Sequence, residues 1–93
     1  MIEVQQSSGG DPLTFDVTVN RGGASHHRVT VSSADIGRLA GGGSPELLVE
    51  AAFRFLLDRE PQSAILGRFD LSVISRYFPE FEDKLPQYLN QDG

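Results

Sequence analysis

The sequence predicts an α+β fold, with an N-terminal antiparallel β-hairpin or three-stranded meander packed on a central helix at about 45–58, and short helices after it. Three observations carry this. Two early segments alternate apolar and polar residues and are rich in β-branched side chains, the strand period. A later segment opens on a helix-start signal and is apolar around most of its circumference. Strands come first and helices after, the order of an α+β domain rather than of βαβ units.

Glycine marks the joints. Seven of the ten glycines fall into Gly9-Gly10, Gly22-Gly23 and Gly41-Gly42-Gly43, each between segments of different period. The first strand expected is Phe15 to Val19 and the second His27 to Ser32. Pairing Val17 with Val29 places Phe15, Val17, Val19, His27, Val29 and Val31 on one face. Asp16, Thr18, Asn20, His26, Arg28 and Thr30 then lie on the other. A one-residue slip would expose the valines, so the facing is well specified. Met1 to Gln5 offers a third strand, with Ile2 and Val4 on the apolar face.

Ser33 to Ala40 reads as a short helix, capped by Ser33 and stopped by the glycine triplet. Ser44-Pro45-Glu46 is a stronger start: a hydroxyl cap, proline at the first helical position and an acid in the first turn. That helix should run through Asp58 or Arg59 and stop before Pro61. Its polar stripe is only Glu46, Glu50, Arg54 and Asp58, far narrower than on a surface helix. Ser63 to Phe69 is expected to make about two helical turns. Asp70 is expected to cap Leu71 to Phe78, and Phe81, Leu85 and Leu89 recur at helical spacing around Pro86.

The 93 residues make one domain, 1–93: a β part at 1–32, a helical part at 33–89 and a frayed tail at 90–93. No cysteine is present, which excludes disulfides, thiolate metal sites and a cysteine nucleophile. The formal charge of −5 argues against unspecific binding to nucleic acid or anionic lipid. The start Met1-Ile2-Glu3-Val4 has no signal-peptide pattern, and Glu50, Arg54 and Asp58 interrupt the longest apolar run. A cytoplasmic location without membrane contact is therefore expected. Seven of the eight basic residues are arginine, as a GC-rich bacterial genome would favour.

Candidate sites are few. His26 and His27 are neighbours on a strand and point to opposite faces, so they do not share a metal. Glu80, Glu82 and Asp83 form an acidic cluster without a calcium-loop pattern, and Lys84 adjoins it. Gly41 to Ser44 lacks the lysine and the glycine spacing of a phosphate loop. No nucleophile, base and orienter stand in a recognisable set. The expectation is no catalysis, no cofactor and no metal.

The apolar girth of the central helix leaves two readings open. The hairpin and later helices wrap it fully, or an apolar surface remains for self-association or a protein partner. The second makes the chain a non-catalytic protein-interaction module or a homodimer. The alternative is a small nucleic-acid-binding regulator with a helix-turn-helix-like segment at 63–78, contacting nucleic acid through Ser72, Ser75 and Arg76, with Arg59 and Arg68. Against it, the turn is Arg68-Phe69-Asp70 without glycine, and a short helical pair within the core fits as well.

One stretch carries a resemblance. Phe53-Arg54-Phe55-Leu56-Leu57-Asp58-Arg59-Glu60-Pro61, then Ile65-Leu66, Arg68-Phe69, Ile74 and Tyr77-Phe78-Pro79-Glu80, resembles a small bacterial domain family of unknown function. The likeness covers about the last two-thirds of the chain. It implies no activity, cofactor or catalytic residue.

Overall fold

A computed structural model describes residues 1–90. It forms one four-stranded sheet with helices on one face. The strands are β1 (Ile2–Ser8), β2 (Leu13–Asn20), β3 (Ala24–Val31) and β4 (Arg68–Asp70), in spatial order β1-β2-β3-β4. The helices are α1 (Ser33–Leu39), α2 (Pro45–Arg59), α3 (Ser72–Tyr77) and α4 (Phe81–Leu89). The expected tail at 90–93 lies, apart from Asn90, outside the described residues.

β1, β2 and β3 run antiparallel as a meander. The facing read from the sequence holds: Phe15, Val17, Val19, Val29 and Val31 are at most 1% exposed, and His27 is buried beside them. The register differs by two positions. Phe15 pairs with Val29 and Val17 with His27, because the turn takes only Arg21-Gly22-Gly23 and β3 begins at Ala24. Gly22 and Gly23 adopt φ of 73° and 144°, which side-chain-bearing residues rarely do. A shift of two keeps every side chain on its face.

α1 is capped by Ser32, not Ser33: the Ser32 hydroxyl accepts from the Asp35 N–H at 3.1 Å. Ser33 instead donates its N–H and hydroxyl to Asp11, at 2.9 and 2.7 Å. These bonds lower the Asp11 pKa against a small opposing effect of burial. They also tie α1 to the β1–β2 loop. α2 starts as expected, with the Ser44 hydroxyl accepting from the Leu47 N–H and Pro45 in the first turn.

α2 is covered on both sides, as its girth demands. Phe53 lies against the sheet, with ring centroids 5.3 Å from His27 and 5.9 Å from Phe69. Two positions on, Phe55 points away and meets Phe78, Phe81 and Tyr88 edge-on at 5.0–5.8 Å. Leu48, Val49, Ala52, Phe53 and Phe55 have no exposure. The open polar stripe keeps a Glu50–Arg54 ion pair one turn apart. No described helix is long and apolar enough to cross a membrane.

The expected helix over 63–69 is not there. Gln62–Ala64 makes one 3₁₀ turn, and Arg68–Asp70 is a strand lying parallel to β3. The outer edge of β3 explains the change. Arg28 N–H donates to the Gly67 carbonyl at 2.8 Å, and Leu71 N–H donates to the Thr30 carbonyl at 2.9 Å. Sheet pairing outweighs a two-turn helix that would be marginal alone. Segment 63–78 is therefore neither a helix-turn-helix nor a helical pair.

Candidate functional site

An apolar groove of about 430 Å³ lies at the β4 edge of the sheet. Three elements build it. The end of α2 supplies Leu56 and Glu60, the extended stretch into β4 supplies Ile65, Leu66 and Phe69, and α3 supplies Val73, Ile74 and Tyr77. Its floor belongs to the core: Ile74, Leu56, Ile65 and Phe69 are 2–9% exposed. Its rim does not. Leu66 is 50% exposed and Tyr77 69%, although both are large and apolar in their bodies.

The rim is held by a part-buried polar relay centred on the buried His27. Gln62 Nε2 donates to Ser25 Oγ at 2.9 Å and reaches the Val19 and Gly23 carbonyls at 2.9 and 3.0 Å. Ser25 Oγ lies 2.8 Å from His27 Nε2, and His27 Nδ1 lies 2.7 Å from the Leu66 carbonyl. A carbonyl only accepts, so Nδ1 carries a proton, and with the ring neutral the Ser25 hydroxyl donates to Nε2. The chain of donors runs one way, from Gln62 through Ser25 and His27 to Leu66. No buried side-chain nitrogen or oxygen among the described residues lacks a partner.

The other wall is anchored by Asp70. Its Oδ1 accepts from Thr30 Oγ1 at 2.6 Å, and its Oδ2 accepts from the Ser72 N–H and hydroxyl at 3.1 and 2.7 Å. Burial pushes the Asp70 carboxyl up, but these hydrogen bonds and the nearby Arg76 charge outweigh it, and its pKa is lowered. The sequence made Asp70 the cap of a helix from Leu71 to Phe78. α3 instead starts at Ser72 with Leu71 as its N-cap residue, and Asp70, one position earlier, holds the first turn through the Ser72 N–H and hydroxyl.

The residues named for nucleic-acid contact lie on three elements: Arg59 on α2, Arg68 on β4, and Ser72, Ser75 and Arg76 on α3. Three of them are engaged within the chain. Arg59 lies 3.7 Å over the Phe55 ring and donates to Glu80 and Tyr88. Ser72 holds Asp70, and Ser75 Oγ donates to Glu82 Oε2 at 3.3 Å. Glu82 also accepts from Arg38 at 2.6 Å. That bond leads the causes lowering the Glu82 pKa, against a smaller effect of burial. The acidic cluster is thus split between separate partners, Glu80 to Arg59 and Glu82 to Arg38. Among the described residues, no three His, Asp or Glu side chains converge as metal ligands.

The sequence did not single out the groove. Leu66, Val73 and Tyr77 read as core positions of helices, and only β4 turns them into a rim. The missed signal is the alternation Arg68-Phe69-Asp70-Leu71, exposed, buried, half-buried, buried. No protein-family model, no curated protein and no solved structure matches this chain.

Proposed function

We propose that the chain is a cytoplasmic, non-catalytic protein-interaction module whose groove beside α3 grips an amphipathic segment of a partner. The observation that carries this is the pair Leu66 and Tyr77, half exposed or more over a floor of buried apolar residues. Large apolar side chains kept in water beside a formed apolar concavity mark a contact surface. Glu60 is the one charged side chain lining the groove, and it makes no ion pair among the described residues. The fitting occupant therefore presents two or three apolar side chains on one face and a basic residue toward Glu60. The net charge of −5 favours a basic partner as well.

On the Phe53–Pro61 and Tyr77–Glu80 resemblance alone, we group the chain with a small bacterial domain family of unknown function. The nucleic-acid reading draws less support: of its three arginines, only Arg68 and Arg76 stay outside ion pairs among the described residues.

A random peptide display library selected on the purified chain tests the proposal, with duplex DNA as a control ligand. Enriched peptides should carry apolar residues at helical spacing and a Lys or Arg, and should lose binding to Leu66→Glu. Failure to enrich, or enrichment indifferent to Leu66→Glu, overturns the groove. Salt-dependent DNA binding lost in Arg76→Ala would favour the nucleic-acid reading instead.

A further inference from the structure

β1 is an outer strand, paired on one side by β2. Which of its backbone groups face outward follows from one contact. Asn20 N–H donates to the Met1 carbonyl at 2.8 Å, and the Met1 amino group donates to the Asn20 carbonyl at 2.9 Å. In an antiparallel ladder such pairs alternate with pairs that exchange no bonds. Glu3–Thr18 and Gln5–Asp16 therefore bond β1 to β2, while the N–H and C=O groups of Ile2, Val4 and Gln6 point away from the sheet. The same parity, carried across to β3, turns Arg28 and Thr30 toward β4, where both are bonded.

An outer strand is usually blunted by proline, lysine, a bulge or a covering element. Ile2 to Gln6 carries only Glu3, and the register break comes beyond Gln6. Ile2 and Val4 pack on the core but are only partly buried. We propose that β1 pairs antiparallel with β1 of a second copy, about a two-fold axis at Val4.

Charge and hydrogen bonding select that register. Centred on Val4, Ile2 faces Gln6 of the second copy, and every outward N–H and C=O of the three residues finds a partner. Glu3 then faces Gln5 of the second copy, a carboxylate opposite an amide donor. Centring on Glu3 would set two carboxylates opposite each other, and centring on Gln5 would run the pairing into the bulge. On the helix side the two Val4 side chains meet, which extends the apolar core across the axis. β4 and the groove lie at the far edge of the sheet, so the paired form presents two outward grooves. Self-pairing stands independently of the groove reading.

Sedimentation equilibrium of the full chain tests this, with Val4→Pro, Gln5→Lys and Gln5→Glu. Val4→Pro removes an outward donor that β2 does not use. The wild-type mass should rise with concentration toward twice 10.2 kDa. Val4→Pro should stay at the single mass with an unchanged far-ultraviolet spectrum. Gln5→Lys should tighten and Gln5→Glu weaken association, each by roughly threefold to tenfold. Should Val4→Pro fail to fold, the opposite shifts of the two Gln5 variants decide. A single mass up to about 1 mM, or a dimer that the Gln5 variants leave unchanged, overturns the proposal.

Discussion

His27 donates from Nδ1 to the carbonyl of Leu66, 2.7 Å away and 39 positions along the chain. This bond pins the exposed rim of the groove to the buried face of the sheet. Removing the imidazole would leave the Leu66 carbonyl without its donor and open a void beside Phe53. His27→Ala should therefore lower stability by roughly 2–4 kcal/mol. Urea unfolding at neutral pH reads this; a loss within about 0.5 kcal/mol, as at an ordinary surface position, would show that the relay does not hold the fold.

Two arginines should differ in worth. Arg28 pairs with Asp16 on the open sheet face, with both side chains about half exposed. Such a pair contributes about 0–1 kcal/mol. Arg59 is 23% exposed, stacks over Phe55 and joins Glu80 to Tyr88. Arg59→Ala should cost roughly 1–3 kcal/mol through lost packing, ring contact and hydrogen bonds. Thermal or urea unfolding of both variants checks the order, which equal losses would contradict.

The rim side chains should matter little to folding. Leu66→Ser and Tyr77→Ser remove exposed apolar surface, so each should change stability by no more than about 0.5 kcal/mol. The same substitutions should reduce the fluorescence enhancement of an apolar dye such as anilinonaphthalene sulfonate. Undiminished dye binding would place the exposed apolar surface elsewhere.

Acid should unfold the chain through its anchored carboxylates. Asp70, Glu80 and Glu82 have folded pKa values below their ordinary ones. Burial opposes the shift at Asp70, where hydrogen bonds from Thr30 and Ser72 win. Its own N–H bond and Arg59 act on Glu80, and Arg38 on Glu82. Groups lowered on folding stabilise above the unfolded pKa and lose that contribution as pH falls through the folded one. The urea midpoint should fall from about pH 4 downward as these carboxylates take up protons. Asp70→Asn should be less stable at pH 7 and show a shallower acid slope.

What the sequence revealed was set by short-range periodicity. Phe15 to Val19 and His27 to Val31 show their buried face through strict alternation, and Ser44-Pro45 with Pro61 brackets α2 through local backbone chemistry. The hairpin register was off by two because it depends on how few residues the Gly22-Gly23 turn needs, while period two is blind to such a shift. β4 was not legible because three residues gain strand geometry only from a β3 edge some forty positions earlier. The groove inherits that difficulty. Leu66 is exposed because Gly67 onward joins the sheet and its own carbonyl is taken by His27.

Backbone amide shift mapping tests the central claim most directly. The ¹⁵N-labelled chain would be titrated with the strongest display-selected amphipathic peptide. The account predicts saturable shifts at Leu66, Phe69, Val73 and Tyr77, with Asp16, His26 and Arg28 on the open sheet face unmoved. Shifts centred on that polar face, with the α3 groove silent, would contradict it.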